Sequence, residues 1–174
     1  MNNNGVHMLD QCRLLMEAPI VDVFGDLQLV LSPGDTEDCA KVVMRGENGR
    51  VIDCEVFDAC SVKMPGWVIL GSRGSVTIDG GQAHVKWLKT DLPPLAVDDQ
   101  PKVQGRRYGI IGQGREELEW GEETLEAKAD PGPSFYDLLA KCLLEGAEPP
   151  VDPQIPYEVV QVMDRARTQL TVRL

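Results

Sequence analysis

A chain of 174 residues that is 43% hydrophobic can bury one real core and hardly two. Its net charge of −11 sets a surface that repels phosphate backbones, which argues against nucleic-acid binding. No apolar run is long enough to cross a bilayer, and the N-terminus lacks the pattern of a secretory leader, so a cytoplasmic location is expected.

The first predicted element is a helix over about Asn4 to Met16. Val6, Leu9, Cys12 and Met16 form its apolar stripe, with Met8 and Leu15 beside it, and Glu17-Ala18-Pro19 ends it. Asn3, His7 and Asp10 are spaced i, i+4 and i+7 and project from one face of that helix. The plainer reading of such a polar triplet is a cap with a solvated surface. Against it stands His7, one of two histidines in the chain, whose side-chain type suits proton shuttling near neutral pH.

Strands follow. Ile20 to Leu31 is β-rich, Ser32-Pro33-Gly34-Asp35 is a turn, and Asp38 to Arg45 is a second strand. Asn48-Gly49 makes a hairpin into Val51 to Asp58. Trp67–Leu70, Ser75–Ile78 and Ala83–Leu88 repeat the pattern with tight turns between them, giving an antiparallel meander. Thr90 to Gly105 is a proline-rich, charged loop that could lie over a site. Beyond it, Tyr108-Gly109-Ile110-Ile111 could be a strand, and Glu116 to Glu126, with six glutamates, reads as a solvated edge or loop. Ser134 caps a helix with the stripe Phe135, Leu138, Leu139, Cys142 and Leu143, stopped by Gly146. After the stiff segment Pro149 to Pro153, a final helix places Pro156 in its first turn and Val159, Val160, Met163 and Ala166 on its buried face. Leu170 to Leu174 could add a short strand. The order predicts an α+β fold, an open mostly antiparallel sheet with helices packed on one face, as a single domain over residues 1–174.

Several motifs fail. Gly109-Ile110-Ile111-Gly112-Gln113-Gly114 has the wrong glycine order for a dinucleotide fingerprint and runs into acidic residues. Gly71-Ser72-Arg73-Gly74-Ser75 sits between strands and reads as a hairpin turn rather than an anion seat. His84 falls mid-strand and reads as structural, and Asp98-Asp99 as solvated rather than metal-binding. Five cysteines with no Cys-x-x-Cys spacing point to buried, reduced thiols rather than zinc or a redox motif; a Cys54–Cys60 disulfide is conceivable.

Four stretches together carry a family resemblance. They are Asn3-Asn4-Gly5-Val6-His7-Met8-Leu9-Asp10 with Arg13-Leu14-Leu15; Glu37-Asp38-Cys39-Ala40 through Asn48-Gly49 into Cys54-Glu55-Val56; the hairpin Leu70 to Val76; and Phe135 to Leu139, Gly146, Pro149-Pro150-Val151 and the closing helix to Arg167. In this order they resemble the C-terminal domain of the glucose–fructose oxidoreductase/inositol dehydrogenase (Gfo/Idh/MocA) family. The resemblance implies a glyceraldehyde-3-phosphate dehydrogenase-like C-terminal domain that shapes a sugar or polyol pocket and forms a homo-oligomer through its sheet face. It implies NAD or NADP in the full-length enzyme, held by an N-terminal Rossmann domain that these residues lack; none is expected to bind this chain alone. By match, His7 is the catalytic proton relay, and Asn3 and Asp10 touch substrate. Asn3 stands where many members have aspartate; an amide can hold a hydroxyl but cannot take its proton. With the lysine-bearing Glu-Lys-Pro motif also missing, the chain is expected to be catalytically silent by itself.

The competing expectation is a free-standing, non-catalytic scaffold or oligomerisation module of the same fold. A weaker one is a sugar-binding module using Trp67, Trp87 and Trp120.

Overall fold

A computed structural model describes residues 4–90, 118–128, 132–168 and 171–173. The chain divides into two compact units, residues 1–62 with 131–174, and residues 63–130. Both are built from mostly antiparallel strands, and with three helices they make an α+β fold.

The first unit holds α1 (Asn4–Met16), β1 (Ile20–Leu29), β2 (Cys39–Gly46) and β3 (Val51–Phe57). To these it adds α2 (Phe135–Glu145), α3 (Gln154–Arg167) and β8 (Thr171–Arg173). Its sheet runs β3-β2-β1-β8, antiparallel except for the parallel pair β1–β8, where Leu27 to Leu29 face Thr171 to Arg173. The register places Val23, Gly25 and Leu27 beside Met44, Val42 and Ala40, with Cys54 next on β3, all on one face. All seven are buried, because α1 and α3 cover that face. α1 contributes Leu9, Cys12 and Met16, the stripe read from its periodicity. Each fully closed side chain of this size contributes about 1.5–3 kcal/mol through removal of apolar area from water. Gly25 is where α3 meets the sheet: a Cβ there would lie 2.5 Å from the carbonyl oxygen of Ala166.

α3 departs from the sequence reading in one residue. Val160 is 47% exposed, and Val162 is buried beside Val159, Met163 and Ala166. α2 has the predicted ends. Ser134 Oγ accepts from the Asp137 N–H at 3.2 Å, and Gly146 closes the helix in the left-handed region at φ 68°. Its apolar stripe, however, has no buried residue.

The end of α1 is secured from far away in sequence. Glu17 stops the helix at φ 52°, a conformation costly for a residue with a Cβ. From the β2–β3 turn, Asn48 Nδ2 donates to the Met16 carbonyl and Arg50 Nη1 to the Leu15 carbonyl, each at 2.8 Å. These side chains satisfy carbonyls that a helix end leaves without partners. The β1–β2 connection is fastened by Asp38, whose carboxylate accepts the N–H groups of Val30 (2.8 Å), Leu31 (2.6 Å) and Ser32. The Val30 bond, with the others, holds the Asp38 carboxyl below the usual carboxylate range despite its burial.

The second unit is the sheet β4 (Trp67–Leu70), β5 (Gly74–Asp79), β6 (Gln82–Leu88) and β7 (Trp120–Glu126), in that spatial order and antiparallel throughout. The glutamate-rich stretch is thus an edge strand, with Glu122, Glu123 and Glu126 exposed. By register, Trp67, Ile69, Val76, Ile78, Val85 and Trp87 share one face. The Trp87 indole lies over Gly121, where an added Cβ would sit 2.5 Å from the ring. His84 is on the other face, its Nδ1 2.9 Å from Thr124 Oγ1 on the neighbouring strand, which fits its structural reading.

Candidate functional site

α1 begins directly after the polar triplet's first member. Leu9, Cys12 and Met16 pack inward, and at 100° per residue His7 falls on the opposite side of the helix. The imidazole is exposed and Asp10, one turn on, is half-buried. Asn3 lies outside the described residues. The described pair thus stands on the outward and flanking faces of a helix whose inner face is fixed in the core. A rigid helix surface is a suitable mount for a proton-accepting group, because its position is set by packing and not by a loop. The glycine-rich segment Gly109 to Gly114, the strand expected at Tyr108 to Ile111, Asp98-Asp99 and nearly all of the proline-rich loop are likewise outside the described residues.

A groove of about 520 Å³ lies at the other end of α1. Arg13, Leu14 and Glu17 form one side, Glu158 and Arg165 of α3 the other, with Ile20 between them. Arg13 Nε reaches Glu158 Oε2 at 2.5 Å across it. Arg165 donates to the carbonyls of Ile20 (3.1 Å) and Val21 (2.6 Å). Neither His7 nor Asp10 lines this groove. Sequence reasoning passed over it, although Gln154, Glu158, Gln161 and Arg165 form a polar i, i+4, i+7, i+11 ladder on α3.

Among the described residues no group of three His, Cys, Asp or Glu side chains could hold a metal ion. No described helix is long and apolar enough to cross a membrane. All five cysteines are free. Cys54 is buried and Cys60 exposed, so the conceivable bridge between them is not formed, and Cys60 departs from the expectation of buried thiols. The tryptophans form no single platform: Trp120 pairs with Leu88 on the sheet face opposite Trp67 and Trp87, and Lys86 Nζ stands 5.8 Å from its ring centroid.

No glycine-rich turn among the described residues leads from a parallel strand into a helix, the element that seats a dinucleotide pyrophosphate.

Comparison with known proteins agrees with the resemblance read from sequence. Residues 1–77 match the family model of the GFO/IDH/MocA C-terminal domain. No curated protein matches the chain. Among solved structures, an NAD-binding protein from Listeria innocua is similar at TM-score 0.68 and 23% identity, over 95% of this chain and 49% of that one. UDP-N-acetylglucosamine 3-dehydrogenase GnnA from Acidithiobacillus ferrooxidans is similar at TM-score 0.59 and 18% identity, over 95% and 47%. The WlbA dehydrogenase from Bordetella pertussis, in complex with NADH and UDP-GlcNAcA, is similar at TM-score 0.55 and 18% identity, over 95% and 42%. The chain thus has the fold of a C-terminal domain found in such oxidoreductases and spans about half the length of these structures.

Proposed function

We propose that residues 1–174 act as one domain, the substrate-binding and oligomerising C-terminal part of an NAD(P)-dependent sugar or polyol oxidoreductase in the cytoplasm. The observation that carries this reading is His7 open to solvent on the outward face of α1, in a fold shared with NAD-binding and sugar-nucleotide dehydrogenase structures. The dinucleotide, held by an N-terminal partner domain, accepts or supplies hydride when bound. His7 takes the hydroxyl proton of the sugar at its free imidazole nitrogen. Asp10 orients that hydroxyl or the ring, and the Asn3 amide holds a neighbouring hydroxyl by donating and accepting hydrogen bonds. Without the partner, the chain offers a proton-handling wall and no hydride.

The test joins the chain to its cofactor-binding half and assays UDP-sugars and free polyols. His7→Ala is expected to lower kcat by about 10²-fold or more, the usual worth of a positioned general base. Asp10→Asn is expected to act mainly on KM. An unchanged kcat in His7→Ala overturns the relay, and tight NADH binding by residues 1–174 alone overturns the division of labour.

A second reading, a non-catalytic scaffold, is favoured by the apolar face of the second sheet, where Ile69 and Trp87 remain 40% and 37% exposed. Ile69→Lys with a mass measurement in solution separates the two: loss of self-association with no loss of hydride transfer assigns that face to assembly only.

A further inference from the structure

The groove between α1 and α3, of about 520 Å³, is in the size range that holds a small molecule, and the proton relay does not use it. Its ionic groups do not balance. Arg13 Nε is paired with Glu158 Oε2 at 2.5 Å, and Glu17 with Arg50 Nη1 at 2.8 Å. Arg165 has no such partner. Its two terminal nitrogens donate to the carbonyls of Ile20 (3.1 Å) and Val21 (2.6 Å), and it forms no ion pair with a carboxylate among the described residues. Backbone carbonyls are dipoles and leave the guanidinium charge in place. Donors remain as well. Of the five N–H groups of a guanidinium, Arg13 spends one on Glu158 and Arg165 spends two on the carbonyls. The carboxamide of Gln161, one turn before Arg165, has no partner among the described residues.

We propose that this groove is a binding site for a small organic anion, with a carboxylate or phosphate group on Arg165 and a hydroxyl-bearing body reaching Arg13. Two ion pairs cancel and one cation remains, so an anion answers the charge, a neutral ligand leaves it unanswered and a cation is repelled. N–H donors on a carboxylate or phosphate oxygen make charge-assisted bonds, roughly twice as strong as neutral ones. Glu158 and Arg165 are seven residues apart on α3, about 10 Å along its axis, a span suited to a sugar acid or a sugar phosphate. Pro19, Ile20 and Val162 supply an apolar wall for the carbon skeleton. The net charge of −11 opposes any anion. That repulsion is screened beyond about 8 Å at physiological salt, whereas contacts with Arg165 and Arg13 are much shorter, so the near cations decide. Glu158 competes with the ligand for Arg13 and thereby sets the affinity.

The experiment titrates the full chain at constant ionic strength with gluconate, glucose 6-phosphate and uncharged glucose, and follows the backbone amide signals by NMR. Expected is saturable binding of gluconate, glucose 6-phosphate or both, stronger than any of glucose, with shifts centred on Leu14, Ala18, Ile20 and Gln161. The anion that saturates assigns the group recognised. Arg165→Gln should weaken binding by about tenfold or more. Glu158→Gln should tighten it by about two- to fivefold, because Arg13 is released from its ion pair. Lys63→Gln, in the second unit, should change nothing. Binding of neither anion, equal affinity for glucose, or shifts centred on His7 overturns the proposal. Arg165 also ties α3 to β1, so should Arg165→Gln fail to fold, Glu158→Gln and the shift map of the unaltered chain decide. None of these readouts depends on the oxidoreductase reading.

Discussion

In the first sheet Val23, Leu27, Val42 and Met44 are closed to solvent, whereas in the second Ile69, Val76 and Val85, at the same alternation, remain partly open. Strand number and residue chemistry are alike in the two sheets. The difference is cover: α1 and α3 lie over the first, and the second unit has no helix among its described residues. An alternating strand supplies an apolar face, but a core requires a second layer against it. The first sheet is therefore where stability resides, and the second keeps apolar area open to solvent.

The sharpest way to break this contrast is truncation on each side. Leu27→Ala should cost about 3 kcal/mol, through lost transfer energy and the cavity left behind. Val76→Ala should cost about 1 kcal/mol or less, since its surroundings are half open. Denaturant midpoints of the two variants check this, and equal losses would abolish the distinction. Next in size is Gly25→Ala, which drives a methyl into the Ala166 backbone and should cost about 1–3 kcal/mol. Gly66→Ala, in the second unit and 3.4 Å from the Ile78 carbonyl oxygen, should be near neutral in the same measurement.

Acid separates the units in another way. The folded pKa of Asp38 lies below its ordinary value of 3.8, so its contribution is complete above that pH and is lost as pH falls through the folded pKa. Asp79 is also lowered, chiefly by its bond to the exposed Lys63, 2.7 Å away, and loses its contribution in the same direction. Salt should weaken the Asp79 effect, made by an exposed ion pair, and spare most of the Asp38 effect, made by backbone N–H groups. Thermal melts of Asp38→Asn and Asp79→Asn below pH 4, at low and high salt, read this out. Smallest is Glu17→Gly, expected to stabilise by about 0.5–1 kcal/mol through relief of the left-handed backbone, net of a lost surface ion pair with Arg50.

Elements whose causes are local were legible in the chain. α1 was readable end to end from its apolar stripe and Pro19, and α2 from Ser134 and Gly146. The β2–β3 hairpin was announced by Asn48-Gly49, within which Gly49 takes φ 80°. What depends on distant partners was not. The division of strands between two sheets, the parallel pairing of β8 with β1, and the preference for Val162 over Val160 are decided by tertiary neighbours. At the candidate site, the spacing put His7 and Asp10 on α1, where His7 is exposed and Asp10 half-buried. The groove formed by Arg13, Glu158 and Arg165 joins residues 145 and more positions apart, beyond the reach of any local pattern.

The anchoring of α1 has a mechanical side. His7 and Met16 are nine residues apart, about 14 Å along the axis, and the clamp from Asn48 and Arg50 grips the far end. Leu9 and Cys12 hold the helix along its inner face and the clamp holds that end; without them a swing of about 10° would carry the imidazole about 2 Å. Proton transfer, the role proposed for His7, tolerates much less than that. Two turn residues with no chemistry of their own thereby share with the core packing of α1 in setting the aim of the histidine.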